Sequence, residues 1–141
     1  VQAIYRIDDP RGIVLTVSGG QTVTKQAYAV VLTTMPTEEQ AVQLAEMLVR
    51  DQLAACVNVL PKMRSLYRWE EQLRQGTEHQ VIIKTTTGRL AALRARLESS
   101  HPYEIPELLE IPIVGGSQAY LNWVSASVVR SQNPDHEEPG N

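Results

Sequence analysis

The run His101-Pro102-Tyr103-Glu104-Ile105-Pro106-Glu107-Leu108 sets a phenol and a carboxylate between two prolines and flanks them with an imidazole and a second carboxylate. Each proline fixes its own φ and disfavours helix in the residue before it, so His101 and Ile105 are held extended and the side chains between them project from a stiff bend. An imidazole with a nearby carboxylate suits metal ligation, and His101 and Glu104 are the candidate metal ligands. The alternative for His101 is a structural hydrogen bond or an interaction with a helix C-terminus. His79, at the start of a strand, and His136, near the end of the chain, read as solvated. One histidine cannot make a tight site, although a three-fold axis would bring three copies together.

Tyr67, Trp69, Lys84, Tyr103 and Glu104 form a second constellation. Together they would give a cleft between subunits aromatic walls, a cation and an acid with which to hold a small polar ligand. The same aromatic residues would equally serve as anchors of subunit packing, and the pattern alone leaves both readings open. Nucleophilic catalysis finds little support. The lone cysteine, Cys56, opens an apolar strand and reads as structural. No GxSxG elbow or phosphate-cradling P-loop occurs, and Gly115-Gly116 reads as a turn.

The elements that would position these groups follow from periodicity. Ala3 to Ile7 and Ile13 to Val17 alternate around Asp8-Asp9-Pro10-Arg11-Gly12 and suggest a hairpin, with Ser18 to Gln26 as a linker. Tyr28 to Thr34 is a continuous apolar and β-branched run, as in a strand buried on both faces. Thr37 and Gln40 form a capping box, and Ala41, Leu44, Ala45 and Leu48 give one apolar helix face, ending near Leu53. Cys56 to Leu60 and Ser65 to Trp69 read as strand interrupted at Pro61, Glu70 to Glu78 as a polar loop, and His79 to Thr86 as the returning strand. Thr87 is expected to cap a helix with Leu90, Leu93 and Leu97 inward and Arg89, Arg94, Arg96 and Glu98 solvated. Leu108 to Val114 is a strand marked as an edge by Pro112, and Ser117 to Val129 a last helix carrying Tyr120, Trp123, Val124 and Val128.

This βαββαβ order predicts an α+β ferredoxin-like sandwich with helices on one face of an antiparallel sheet and the other face open. A long hairpin and an open face both favour a homo-oligomer. The expected division is an N-terminal extension over 1–26, a domain over 27–130 and a mobile tail over 131–141 that is too polar to bury anything.

Composition fits this picture. The 141 residues suffice for one core, and 43% hydrophobic with 21% charged residues is ordinary globular usage. A formal charge of −3 offers no broad cationic footprint for nucleic acid and no basic helix for a membrane. A single cysteine excludes an internal disulfide and suits a reducing compartment. Val1 to Asp9 lack the pattern of a secretory signal, so a cytoplasmic location is expected.

From Ala29 to Val128 the chain resembles the CutA (CutA1) divalent-cation tolerance family. The resemblance rests on Val30-Val31-Leu32-Thr33-Thr34, Leu53-Ala54-Ala55-Cys56-Val57-Asn58, Ser65-Leu66-Tyr67-Arg68-Trp69-Glu70, Ile83-Lys84-Thr85, His101-Pro102-Tyr103-Glu104-Ile105-Pro106-Glu107 and Tyr120-Leu121-Asn122-Trp123. It implies a homotrimer similar in architecture to the PII signalling proteins, associated with tolerance of copper and other divalent ions, acting by binding and not as an enzyme. A PII-like small-ligand sensor and a purely structural trimer are the alternatives. The chain departs from the family's copper pattern at two places, carrying Thr33 in place of a cysteine and Ser100-His101 in place of paired histidines.

Overall fold

The computed structural model describes residues 4–6, 13–18 and 21–129, with side chains from residue 27 onward. The elements are β1 (Ile4–Arg6), β2 (Ile13–Ser18), β3 (Gln21–Gln26), β4 (Tyr28–Met35), α1 (Glu38–Arg50), β5 (Cys56–Val59), β6 (Met63–Trp69), β7 (Gln72–Thr86), α2 (Leu90–Ser100), β8 (Leu109–Ile113) and α3 (Gln118–Ser127). A short 3-10 turn over Thr87–Arg89 leads into α2.

β4 through β8 form an antiparallel sheet in the order β5-β7-β4-β8, with β6 pairing the outer part of β7. With α1 between β4 and β5 and α2 between β7 and β8, this is the βαββαβ arrangement expected from sequence. Alternate residues of β4 and β7 point to the helices: Ala29, Val31, Thr33 and Met35 from one strand, Val81, Ile83 and Thr85 from the other, all buried. Against them pack Ala41, Leu44 and Leu48 of α1 and Leu93 and Leu97 of α2, each large side chain worth about 1.5–3 kcal/mol of burial. Thr37 caps α1 as read, its side-chain oxygen accepting from the Gln40 amide. α1 ends at Arg50, three residues before the expected boundary, because the chain closes there in a left-handed turn at Gln52, φ 56°.

The opposite face of the sheet is only partly covered. α3 closes one end through Val124 and Val128, which pack with Ala55 and Tyr28, and the Tyr28 and Ser125 hydroxyls meet at 2.7 Å. Beyond it the register aligns Val30 with Ile111 and Leu32 with Leu109 and Ile82 on one face. Leu109 and Ile111 stay exposed there, on the edge strand that Pro112 marks. None of the helices among the described residues is long and apolar enough to cross a membrane.

Four expectations need correction. The supposed linker before Gln26 contains β3, paired with β2 from Ile13↔Gln26 to Ser18↔Gln21, so the expected β1–β2 hairpin is the first part of a three-stranded sheet. The supposed loop Glu70 to Glu78 is a two-residue turn followed by strand. Glu70 and Glu71 have φ 50° and 63°, and β7 begins at Gln72; its outer half is polar because both faces meet solvent, which erases the alternation that would reveal it. Thr87 does not cap α2 but donates its hydroxyl to the Ala27 carbonyl at 3.3 Å, tying the helix entry to the start of β4. His79 is buried, not solvated, and its Nδ1 donates to the Leu60 carbonyl at 3.0 Å. The tail expected over 131–141, and His136 with it, lie outside the described residues.

Candidate functional site

α2 runs out at Ser100, and His101 is its cap: the His101 amide donates to the Leu97 carbonyl while its own backbone is extended, φ −75° and ψ 136°. Pro102 prevents the helix from continuing. The ring is therefore laid against the end of β4. Nδ1 accepts the Tyr103 amide N–H at 3.1 Å, so the imidazole's proton sits on Nε2. Nε2–H donates to the Thr34 carbonyl at 2.8 Å and lies 3.2 Å from the Thr33 hydroxyl. Both ring nitrogens are thus engaged, and the tilted Tyr103 ring stands 5.1 Å away, centroid to centroid.

Across from this bend rises the β6–β7 hairpin. The two enclose a cleft of about 900 Å3 bordered by Tyr67 and Trp69 of β6, by Glu78 and Gln80 of β7, and by Tyr103 and Glu104 of the bend. The two elements are joined by hydrogen bonds between charged and neutral groups. Glu78 accepts from the Thr34 hydroxyl at 3.2 Å, and its carboxylate acts on the Tyr103 phenol nearby. Burial first, and then the Glu78 carboxylate, push the Tyr103 phenol up to about 12. Gln80 donates through Nε2 to the Thr33 carbonyl at 2.8 Å and to the Glu107 carboxylate at 2.9 Å. Each carboxylate keeps free lone pairs, since an ionised carboxylate offers about four acceptor sites.

Of the residues singled out from sequence, Tyr67, Trp69, Tyr103 and Glu104 come together in the cleft. Within one chain Lys84 does not join them. Trp69 pairs with Gln72, and Lys84 lies twelve residues farther along β7, opposite Val30 and Cys56, roughly 40 Å away at about 3.3 Å per residue. Among the described residues, the cation bordering the cleft in this chain is Arg74. Arg74 and Glu78 escaped the sequence reading because they fall in the stretch taken for loop; a polar tract facing a strand of similar length was the signal available. Cys56 starts β5 in a partly buried position away from the cleft.

A divalent ion demands several ligands converging on one point. No group of three or more His, Cys, Asp or Glu side chains able to hold one exists among the described residues. The site that unites Thr33 and His101 has a hydroxyl where copper chemistry would favour a thiolate. One chain by itself does not fit a tight metal site.

A ferredoxin-like α+β domain with an extended hairpin and a polar cleft beside it is the class of protein that the fold and site define. Residues 29–127 match the family described as CutA1 divalent ion tolerance protein, and the chain belongs to that family. A divalent-cation tolerance protein CutA from Pectobacterium atrosepticum is 46% identical over 99 residues, covering 70% of this chain and 90% of the relative. The Thermus thermophilus CutA is 42% identical over 95 residues, 67% of this chain and 92% of the relative. Among solved structures, the Thermus thermophilus protein superposes with a TM-score of 0.70 at 39% identity over 72% of this chain and 99% of that one. CutA from Synechococcus elongatus gives 0.71 at 38% identity over 76% and 95%.

Proposed function

We propose that this chain acts as a CutA-type homotrimer in tolerance of, or response to, divalent metal ions such as copper, and that it works by binding and without covalent chemistry. The carrying observation is the family match, which runs through the core of the fold and through both walls of the cleft. The apolar face that Val30, Leu32, Ile82, Leu109 and Ile111 share supports the assembly, since a face of this kind is ordinarily buried against another subunit. Direct contact with a metal falls to Glu104 before His101, because metal ligation by His101 would require one of its two ring bonds to open. A site of useful affinity then needs ligands from neighbouring copies. A cytoplasmic location accompanies this reading and is supported by the single cysteine.

The cleft favours a second reading, that of a small-ligand sensor of PII type, since its walls come from two elements that a bound ligand would bridge. Deleting the gene and challenging the strain with copper, zinc and cobalt tests the first reading. Growth that falls below wild type and returns with the intact gene supports it, while unchanged growth removes it. Copper titrated into metal-free protein, compared with the Glu104→Gln and His101→Ala variants, then separates direct binding from an indirect response.

A further inference from the structure

We propose that the cleft between the β6–β7 hairpin and the 101–107 bend is a site for an organic cation, an amine or guanidinium compound. The proposal rests on the reading that this cleft takes a small ligand, and it adds the ligand's charge and chemistry.

The first observation is the charge of the walls. Glu70, Glu78, Glu104 and Glu107 border the cleft, and among the described residues Arg74 is the one bordering Lys or Arg. A partly enclosed space lined by one sign of charge concentrates ligands of the other sign. An anion entering here would face carboxylates that Gln80 and Thr34 hold in place.

The second observation is independent of charge. Tyr67 and Trp69 remain 47% and 37% exposed although they stand beside a cavity, so core packing does not consume their rings. Tyrosine and tryptophan faces attract cations, more strongly as water is excluded. Met63 and Leu66 add apolar lining, which suits the methylenes of an alkylamine and offers nothing to a bare ion.

Geometry separates an organic cation from a metal. A metal ion requires its ligands to converge within about 2.0–2.6 Å of one centre, and the described residues provide no such group. An ammonium or guanidinium group carries its own N–H donors, each of which can reach a separate carboxylate. A cleft of about 900 Å3 also has the capacity of a small-molecule site.

Spermidine and agmatine are titrated into the metal-free full chain carrying Trp123→Phe, which leaves Trp69 as the fluorescent reporter. Citrate, ATP and magnesium chloride are titrated in parallel. A saturable change in Trp69 emission and a rise in Tm with at least one amine are expected. Calorimetry should show binding weakened about fivefold by Glu104→Gln and about tenfold by Trp69→Ala. Both side chains are exposed enough for these variants to fold. If citrate or ATP saturates the cleft and neither amine does, the cation assignment is wrong while the ligand cleft stands. If no probe binds, both fall. Amine binding that neither variant weakens places the cation elsewhere and also overturns the proposal.

Discussion

The Tyr103 amide donates to Nδ1 of His101 across 3.1 Å, and this single bond fixes the imidazole as the Nε2–H tautomer that reaches the Thr34 carbonyl. The bend is thereby tied to the end of β4 by a side chain that looks, in sequence, like a metal ligand.

His101→Ala removes both bonds and leaves the Tyr103 amide and the Thr34 carbonyl short of a partner. The expected loss is about 2–6 kcal/mol, at about 1–3 kcal/mol for each group left unsatisfied. Urea unfolding should show a lower midpoint with an unchanged slope; a midpoint within error of wild type would mean that these two bonds do not hold the bend to β4.

Tyr103 gives a pH dependence with a definite sign. Its phenol ionises near its ordinary value of 10.0 in the unfolded chain and is pushed up to about 12 in the folded one, so between these values the folded state holds the extra proton. The contribution to stability is fully present below about pH 10 and is lost as pH rises toward 12. Absorbance near 295 nm should show one tyrosine titrating late, absent in Tyr103→Phe and shifted earlier in Glu78→Gln. An unchanged titration in both variants would count against the Glu78 contact.

Gln52 occupies a left-handed position, φ 56°, where the Gln52 amide donates to Val49 and the Leu53 amide to Leu48. This is a Schellman cap with a residue other than glycine at its left-handed site. The left-handed penalty of about 1–2 kcal/mol outweighs glycine's entropic cost of about 0.5–1 kcal/mol. Gln52→Gly should therefore raise stability by about 0.5 kcal/mol, measured by denaturant unfolding, whereas a drop would mean that the glutamine side chain is needed.

Charging the open sheet face tests assembly. Leu109→Glu with Ile111→Lys puts opposite charges on exposed positions of β8. The folded monomer should tolerate them, while light scattering should show the proposed trimer reduced to a monomer. A trimer that persists at micromolar concentration would place the interface elsewhere.

Alternation and capping made the inner domain legible. Tyr28 to Thr34, the Thr37–Gln40 cap and the Leu90, Leu93, Leu97 spacing each report a face buried against the core, and each element lies where that pattern puts it. Where burial gives no pattern the reading failed. The outer part of β7 is polar on both faces, so Gln72 to Glu78 looked like loop although β6 pairs along its whole length. His79 looked solvated because the carbonyl that buries its ring contact, that of Leu60, lies nineteen positions earlier in the chain.

The candidate site divides in the same way. Sequence alone determined its chemistry: two prolines that stiffen the 101–107 bend, and the aromatic and acidic residues available to line a wall. Tertiary structure decided which of them meet. The register of β7 carries Lys84 away and brings Glu78 and Gln80 into place, and the fold closes His101 onto Thr33 and Thr34 from more than sixty residues away. Local propensity is written residue by residue, whereas strand register and long-range hydrogen bonding are set by which surfaces bury together.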